Sequence, residues 1–190
     1  MELSNEQKII SILFKEFLIP YNSRSVSKII DISHAGAFKI LIKLEKRGIV
    51  KHQKIGKAKI YSLNTNNPVA NREIEMALTI EAQNYRIWLE EFKELKDKAI
   101  FTILFGSIIK NEESARDIDL LVIAEKKNFT EIKRIVNERN KILSKKIHLI
   151  LQNPSEFNKD IKDKNKAMIE IIKTGVVLFG QDKIRQILEK

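Results

Sequence analysis

A chain of 190 residues with 43% hydrophobic content can fill one or two ordinary cores, and the absence of cysteine excludes disulfides and thiolate metal sites. No apolar run reaches membrane-spanning length and the N-terminus lacks a secretory leader, so a cytoplasmic protein without a membrane partner is expected. The net charge of +10 is uneven, with 12 Lys/Arg against 5 Asp/Glu in residues 1–70 and 23 against 20 in residues 71–190, which points to a polyanion partner at the N-terminal end.

Ser4-Asn5-Glu6-Gln7 reads as a capping box opening a helix to about Phe17, with Ile9, Ile10, Leu13, Phe14 and Phe17 at helical spacing. Pro20 to Ser23 breaks it. Ser25 is expected to cap a short second helix over 26–30, and Ser33 a third, to about Arg47, that Gly48 ends. Two β-like runs, 49–54 and 58–63, flank Ile55-Gly56-Lys57 as a hairpin.

Three helices and a hairpin, with the run ISHAGAFKILIKLEKRGIV, resemble a winged helix-turn-helix domain. The resemblance implies a duplex DNA partner, with the third helix in the major groove. Ala37, Leu41 and Leu44 fit the inward face of that helix, and His34, Gly36, Lys39 and Lys43 the groove face. The wing offers Lys51, His52, Lys54, Lys57 and Lys59 to phosphates. The other reading is a winged helix used for protein contact, which the apolar Phe38, Ile40 and Ile42 favour.

Asn64 to Pro68 reads as a polar linker, with Asn67 a cap and Pro68 in a first helical turn. From there to about Leu95 the helical pattern runs without a break. Leu78, Tyr85, Trp88, Phe92 and Leu95 fall at heptad positions, with Glu81 an exception. A helix of that length is either the seam of a homodimer or a spacer clamped on one domain.

The stretch from Ala99 to Ala124, AIFTILFGSIIKNEESARDIDLLVIA, carries the chemistry. It reads as a buried strand over 99–105, a stop at Gly106-Ser107 and a second strand over 118–123. Gly106 permits close backbone approach to a ligand, and Ser107 would open a short helix whose free N–H groups suit a phosphate. Side chains alternate along a strand, so Asp117 and Asp119 share a face while Ile118 and Leu120 point to the core. Two carboxylates beside a phosphate cradle suit a hard divalent cation carrying a nucleoside triphosphate.

Gly106-Ser107, nine residues, then Asp117-Ile118-Asp119-Leu120 resembles the signature of the nucleotidyltransferase superfamily that includes DNA polymerase β, and in particular its small minimal members. The resemblance implies that Gly106 and Ser107 bind the triphosphate and that Asp117 and Asp119 bind Mg²⁺. The remaining pattern is a helix over 129–144, a strand over 147–151, a helix from Pro154 or Ser155 through Lys173, a strand over 176–179 and a last helix. The ending KTGVVLFGQDKIRQIL also resembles the tail of small nucleotidyltransferases. The expected fold class is α/β (α+β) with a small mixed sheet. The expected domains are a DNA-binding winged helix over 1–67, a linker or dimerisation helix over 68–97 and a nucleotidyltransferase-like domain over 98–190.

The chain departs from the family pattern at three places. The third carboxylate expected on the next strand is absent from KKIHLIL, where alternation turns His148 to the carboxylate face. Imidazole is a poor Mg²⁺ ligand but a competent general base near neutral pH, so His148 is a candidate catalytic residue with Asp117 and Asp119. Asn111 stands where a turn glycine is usual, and Asn tolerates a left-handed backbone. Arg116 stands where Ser is usual; with Lys110 it either grips phosphate or pairs with a nearby acid. Three readings follow: a Mg²⁺-dependent transferase moving a nucleoside monophosphate to a hydroxyl, a transcription regulator with a nucleotide-sensing domain, or an antitoxin-like protein modifying a partner.

Overall fold

The computed structural model describes residues 2–188, and contacts divide it into two units, one up to Ile80 and one from Glu81. The first unit holds three helices, a two-stranded hairpin and most of a fourth helix, and the second is an α+β arrangement around a four-stranded sheet.

The first unit opens with α1 (Asn5–Lys15), whose capping box is formed by Ser4 and Gln7. The second helix, α2 (Ser23–Ile29), starts earlier than the pattern suggested. Asn22 is its cap, and Ser25 is the third helical residue, its hydroxyl accepting from the Asn22 backbone N–H. Ser33 caps α3 (His34–Lys46), and Gly48, at φ +70°, ends the helix. Strands β1 (Val50–Ile55) and β2 (Ala58–Leu63) pair antiparallel as the wing. Tyr21 bridges to Tyr61, its carbonyl accepting the Tyr61 N–H at 2.7 Å. Ile9, Ile10, Leu13, Val26, Ala37, Leu41 and Leu44 are buried, at the inward positions that helical spacing assigns.

The helix expected to run unbroken to Leu95 is interrupted. Asn67 caps α4 (Pro68–Gln83), the chain turns at Asn84-Tyr85, and α5 (Arg86–Glu91) leads into a 3₁₀ turn over Lys93–Leu95. Trp88, Phe92 and Leu95 are no seam between copies: they are 5%, 0% and 0% exposed, inside the core of the second unit. That core offers the large apolar side chains more buried area than a solvent-facing stripe would, so tertiary packing overrides the heptad pattern.

The second unit holds a four-stranded sheet in the order β5-β4-β3-β6. Strand β3 (Phe101–Phe105) runs antiparallel to β4 (Asp117–Ile123) and to β6 (Val176–Phe179), while β4 and β5 (Lys146–Gln152) are parallel. Helix α6 (Phe129–Ile142) makes the parallel crossover. One sheet face, including Leu104, Ile118, Leu120, Val122 and Ile147, packs with Trp88, Phe92, Leu95, Ile132 and Ile135. The opposite face carries Phe101, Ile103 and Leu121 by alternation, under α8 (Lys166–Thr174) and α9 (Gln181–Leu188), and Phe101 meets Phe157 of α7 (Pro154–Lys162) edge to face at 5.2 Å. One long helix was expected where α7 and α8 stand. The chain instead turns at Lys164, φ +53°, and Asn165 caps α8 anew.

Candidate functional site

The two carboxylates lie at the first and third residues of β4, on the face opposite Ile118 and Leu120. The parallel register puts Lys146 beside Asp117, His148 beside Asp119 and Ile150 beside Leu121. His148 therefore stands between the acids: Nε2 is 3.7 Å from Asp117 Oδ1, and Nδ1 is 3.5 Å from Asp119 Oδ1. All three side chains reach solvent, at 41% for Asp117, 27% for Asp119 and 53% for His148. The face assigned to His148 from alternation is the face it occupies.

Across the β3–β4 pair, Phe105 faces Asp119, so the residue after Phe105 arrives beside the carboxylate. That residue is Gly106, at φ +80°, and a Cβ there would overlap Asp119 Oδ2. The Gly-Ser turn and the acid pair are thus brought together through direct packing. Gly106–Ile109 is a single 3₁₀ turn, with Ser107 and Lys110 exposed and Ile108 buried. Asn111 does not use its tolerance of a left-handed backbone. Its Oδ1 instead accepts the Ser114 N–H at 3.1 Å and closes the turn by a side-chain bond. Arg116 is exposed and makes no ion pair among the described residues. Lys145 carried no signal in the sequence; its Nζ donates to the Ala115 carbonyl at 2.5 Å and braces the loop entering β4.

Among the described residues, no group of three or more His, Cys, Asp or Glu is placed to hold a metal ion unaided. The donor set still fits Mg²⁺, which takes one or two carboxylates and completes its shell with substrate phosphate and water.

The β1–β2 hairpin and α3 form a second candidate site. His34 Nε2 and Ser23 Oγ are 2.9 Å apart, Gly36 lies in the first turn of α3, and Lys39 is exposed. Lys43 is exposed but paired with Glu6 at 2.5 Å; Arg47 binds the same Glu6 and also Glu73. On the wing, Lys54 and Lys59 are cross-strand partners, with Lys57 at the exposed tip. A groove of about 590 Å³ runs between the two elements, and besides His34, Lys57 and Lys59 it is lined by Arg24, Phe38 and Tyr61. Arg24 and Tyr61 were missed from sequence; the cap at Asn22, which sets Arg24 at the exposed start of α2, was the available signal. Burial first, then the Glu45 carboxylate, push the Tyr61 phenol above its ordinary value and keep it neutral.

Comparison with known proteins bears on the second unit. The family model "Polymerase beta, Nucleotidyltransferase" matches residues 88–184, just over half the chain, and nucleotidyltransferase domains of this kind generally use a divalent metal. No curated protein compared with the chain matches it. Two solved structures align with low scores. The adhesin competence repressor AdcR of Streptococcus pyogenes is 13% identical over 75% of this chain and 84% of its own, with a TM-score of 0.37. A mutant form of ZitR from Lactococcus lactis is 18% identical over 70% of this chain and 75% of its own, with a TM-score of 0.33. Both scores are too low to support any inference for this chain. The acid pair of β4, the glycine packed on it and the family match over residues 88–184 together mean that the chain belongs to the polymerase-β nucleotidyltransferase family.

Proposed function

We propose that the chain is a DNA-binding protein whose second unit binds a nucleoside triphosphate with Mg²⁺ and transfers its nucleoside monophosphate to a hydroxyl acceptor. The observation that carries this is the packing of the Asp119 carboxylate on Gly106, which joins a phosphate-binding turn to an acid pair. Asp117 and Asp119 would hold the metal, which when bound neutralises phosphate charge. Backbone donors at Gly106 and Ser107, with Lys110 and Arg116, would grip the phosphates. The acceptor oxygen bonds to the α-phosphorus, pyrophosphate departs with the electron pair of the broken P–O bond, and the hydroxyl proton passes to a His148 ring nitrogen. A thermal-shift titration tests the binding step. ATP with Mg²⁺ should raise the melting temperature of the wild type by mass action, and Asp119→Asn should abolish the rise while staying folded.

A second reading keeps nucleotide binding and drops turnover, making the unit a nucleotide sensor for a transcription regulator. The imidazole in place of a third carboxylate favours it. Labelled triphosphate separates the two: a sensor binds without transferring label, and His148→Asp should then create transfer.

For the first unit, the exposed Lys39, the wing lysines and the groove support phosphate contacts to duplex DNA. Pairing of two copies through α4, where Val69 and Met76 stand exposed one heptad apart, would set two winged helices on one duplex.

A further inference from the structure

A cleft of about 400 Å³ lies beside the Gly-Ser turn, within the size range of small-ligand sites, about 300–1,000 Å³. The turn between α4 and α5 forms one wall, with Tyr85, Arg86 and Trp88; the residues after Ser107 form the other, with Ile108, Ile109 and Lys110. Tyr85 Oη donates to the Ile109 carbonyl at 3.3 Å and ties the walls together. Burial first, and then Glu81, push the Tyr85 phenol above its ordinary value, so this donor keeps its proton.

Three features define what the cleft would accept. Trp88 is 5% exposed, and its indole Nε1 is buried without a hydrogen-bond partner among the described residues. An orphaned indole donor is unfavourable and is relieved by an acceptor. Arg86 and Lys110 are exposed, and neither makes an ion pair among the described residues. Glu112 is the one acid in the lining, so cations prevail. Gln83 and Asn84 add two amides at the rim, and the remaining lining, Tyr85, Ile87, Trp88, Ile108 and Ile109, is aromatic or branched aliphatic, which suits a flat ring.

We propose that this cleft binds a small planar anion, an aromatic ring carrying a carboxylate or a phosphate. The ring lies against the accessible faces of Tyr85, Ile87 and Ile109, with Trp88 beneath them, and the anionic group sits between Arg86 and Lys110. The site stands apart from the nucleotide reading: only Lys110 is common to both, and Asp117 and Asp119 take no part in it. Ile108 and Ile109 belong to the same 3₁₀ turn as Gly106 and Ser107, so occupancy braces that turn.

The chain has one tryptophan, so its emission reports this cleft directly. Wild-type protein without Mg²⁺ is titrated with benzoate, with AMP and with inorganic phosphate. A saturable change with benzoate or AMP and none with phosphate is expected; the tighter of the two tells carboxylate from phosphate as the anionic group. Arg86→Glu should weaken that binding about tenfold or more. Calorimetry on Trp88→Phe, which keeps a ring and removes the donor, should show a severalfold loss. No saturable change with either ring compound, phosphate as effective as both, or full affinity in either variant would overturn the proposal. So would AMP binding that vanished in Asp119→Asn, because the indole would then be reporting the acid pair.

Discussion

Replacing Gly106 by Ala isolates the contact that joins the two halves of the candidate site. The substitution has two separable effects. At φ +80° an L residue is strained by about 1–2 kcal/mol. The added methyl also overlaps Asp119 Oδ2 and lies 3.0 Å from its Cγ, an overpacking worth about 1–3 kcal/mol. Gly106→Ala should therefore destabilise the second unit by about 3 kcal/mol, or roughly 10 °C in its melting temperature. Asp119→Ala removes Oδ2 and Cγ and leaves only the Cβ, 3.2 Å away, so in that background Gly106→Ala should cost little beyond the backbone strain. The coupling between the two positions is then about 1–2 kcal/mol. Urea unfolding followed by the emission of the buried Trp88 measures all four proteins and reports this unit. Additivity to within about 0.5 kcal/mol would show that the glycine is not packed on the carboxylate, and would remove the main support for a joint site.

Three further outcomes are expected. Replacing Lys54 and Lys59 together by Ala should weaken binding to every duplex and lower the salt slope by about 2, without destabilising the free protein, because like charges paired across strands repel; an unchanged slope would show that the wing does not touch phosphate. Phe92→Ala should destabilise the second unit by about 3–5 kcal/mol, since Phe92 is fully buried and stacks on Trp88 at 6.0 Å; loss of a dimer with the fold retained would contradict the packing described. The chain's three tyrosines all have raised phenol pKa values. Tyr21 is shifted by burial and then Glu16, Tyr61 by burial and then Glu45, and Tyr85 by burial and then Glu81. The folded state therefore holds phenol protons that the unfolded state releases near pH 10, so stability should be complete below about pH 10 and fall as pH rises above it. Tyrosine absorbance titrated alongside ellipticity checks this; phenolate forming near pH 10 with the fold intact would refute it.

The placement of the acids and the imidazole in the second unit was legible in sequence because it depends on short-range rules. Alternation along β4 put Asp117 and Asp119 on one face, and alternation along β5 added His148. Ser33, Asn67 and Gly48 act as the punctuation they spell. The break at Asn84-Tyr85 was illegible, having neither glycine nor proline to mark it. What decides it is distant: Tyr85 bonds to Ile109, and Trp88 and Phe92 enter a core assembled from strands that follow them in the chain. The heptad spacing was real, but it described a face that packs within its own unit. Asn165 did carry a local signal for the split between α7 and α8, and the longer apolar periodicity masked it. Lys145 on the Ala115 carbonyl and the cleft beside Trp88 come from segments far apart in sequence, beyond the reach of any window.

The position of His148 on an edge strand bears on how this protein can change over generations. Its side chain is 53% exposed and absent from the core of its unit, so replacing it disturbs little packing. Histidine and aspartate codons differ by a single base. A lineage carrying this fold can therefore gain or lose the third acid in one mutational step without disturbing the core, at the cost of setting a carboxylate opposite Asp119, and on the proposed function a catalyst and a silent receptor become immediate neighbours in sequence space.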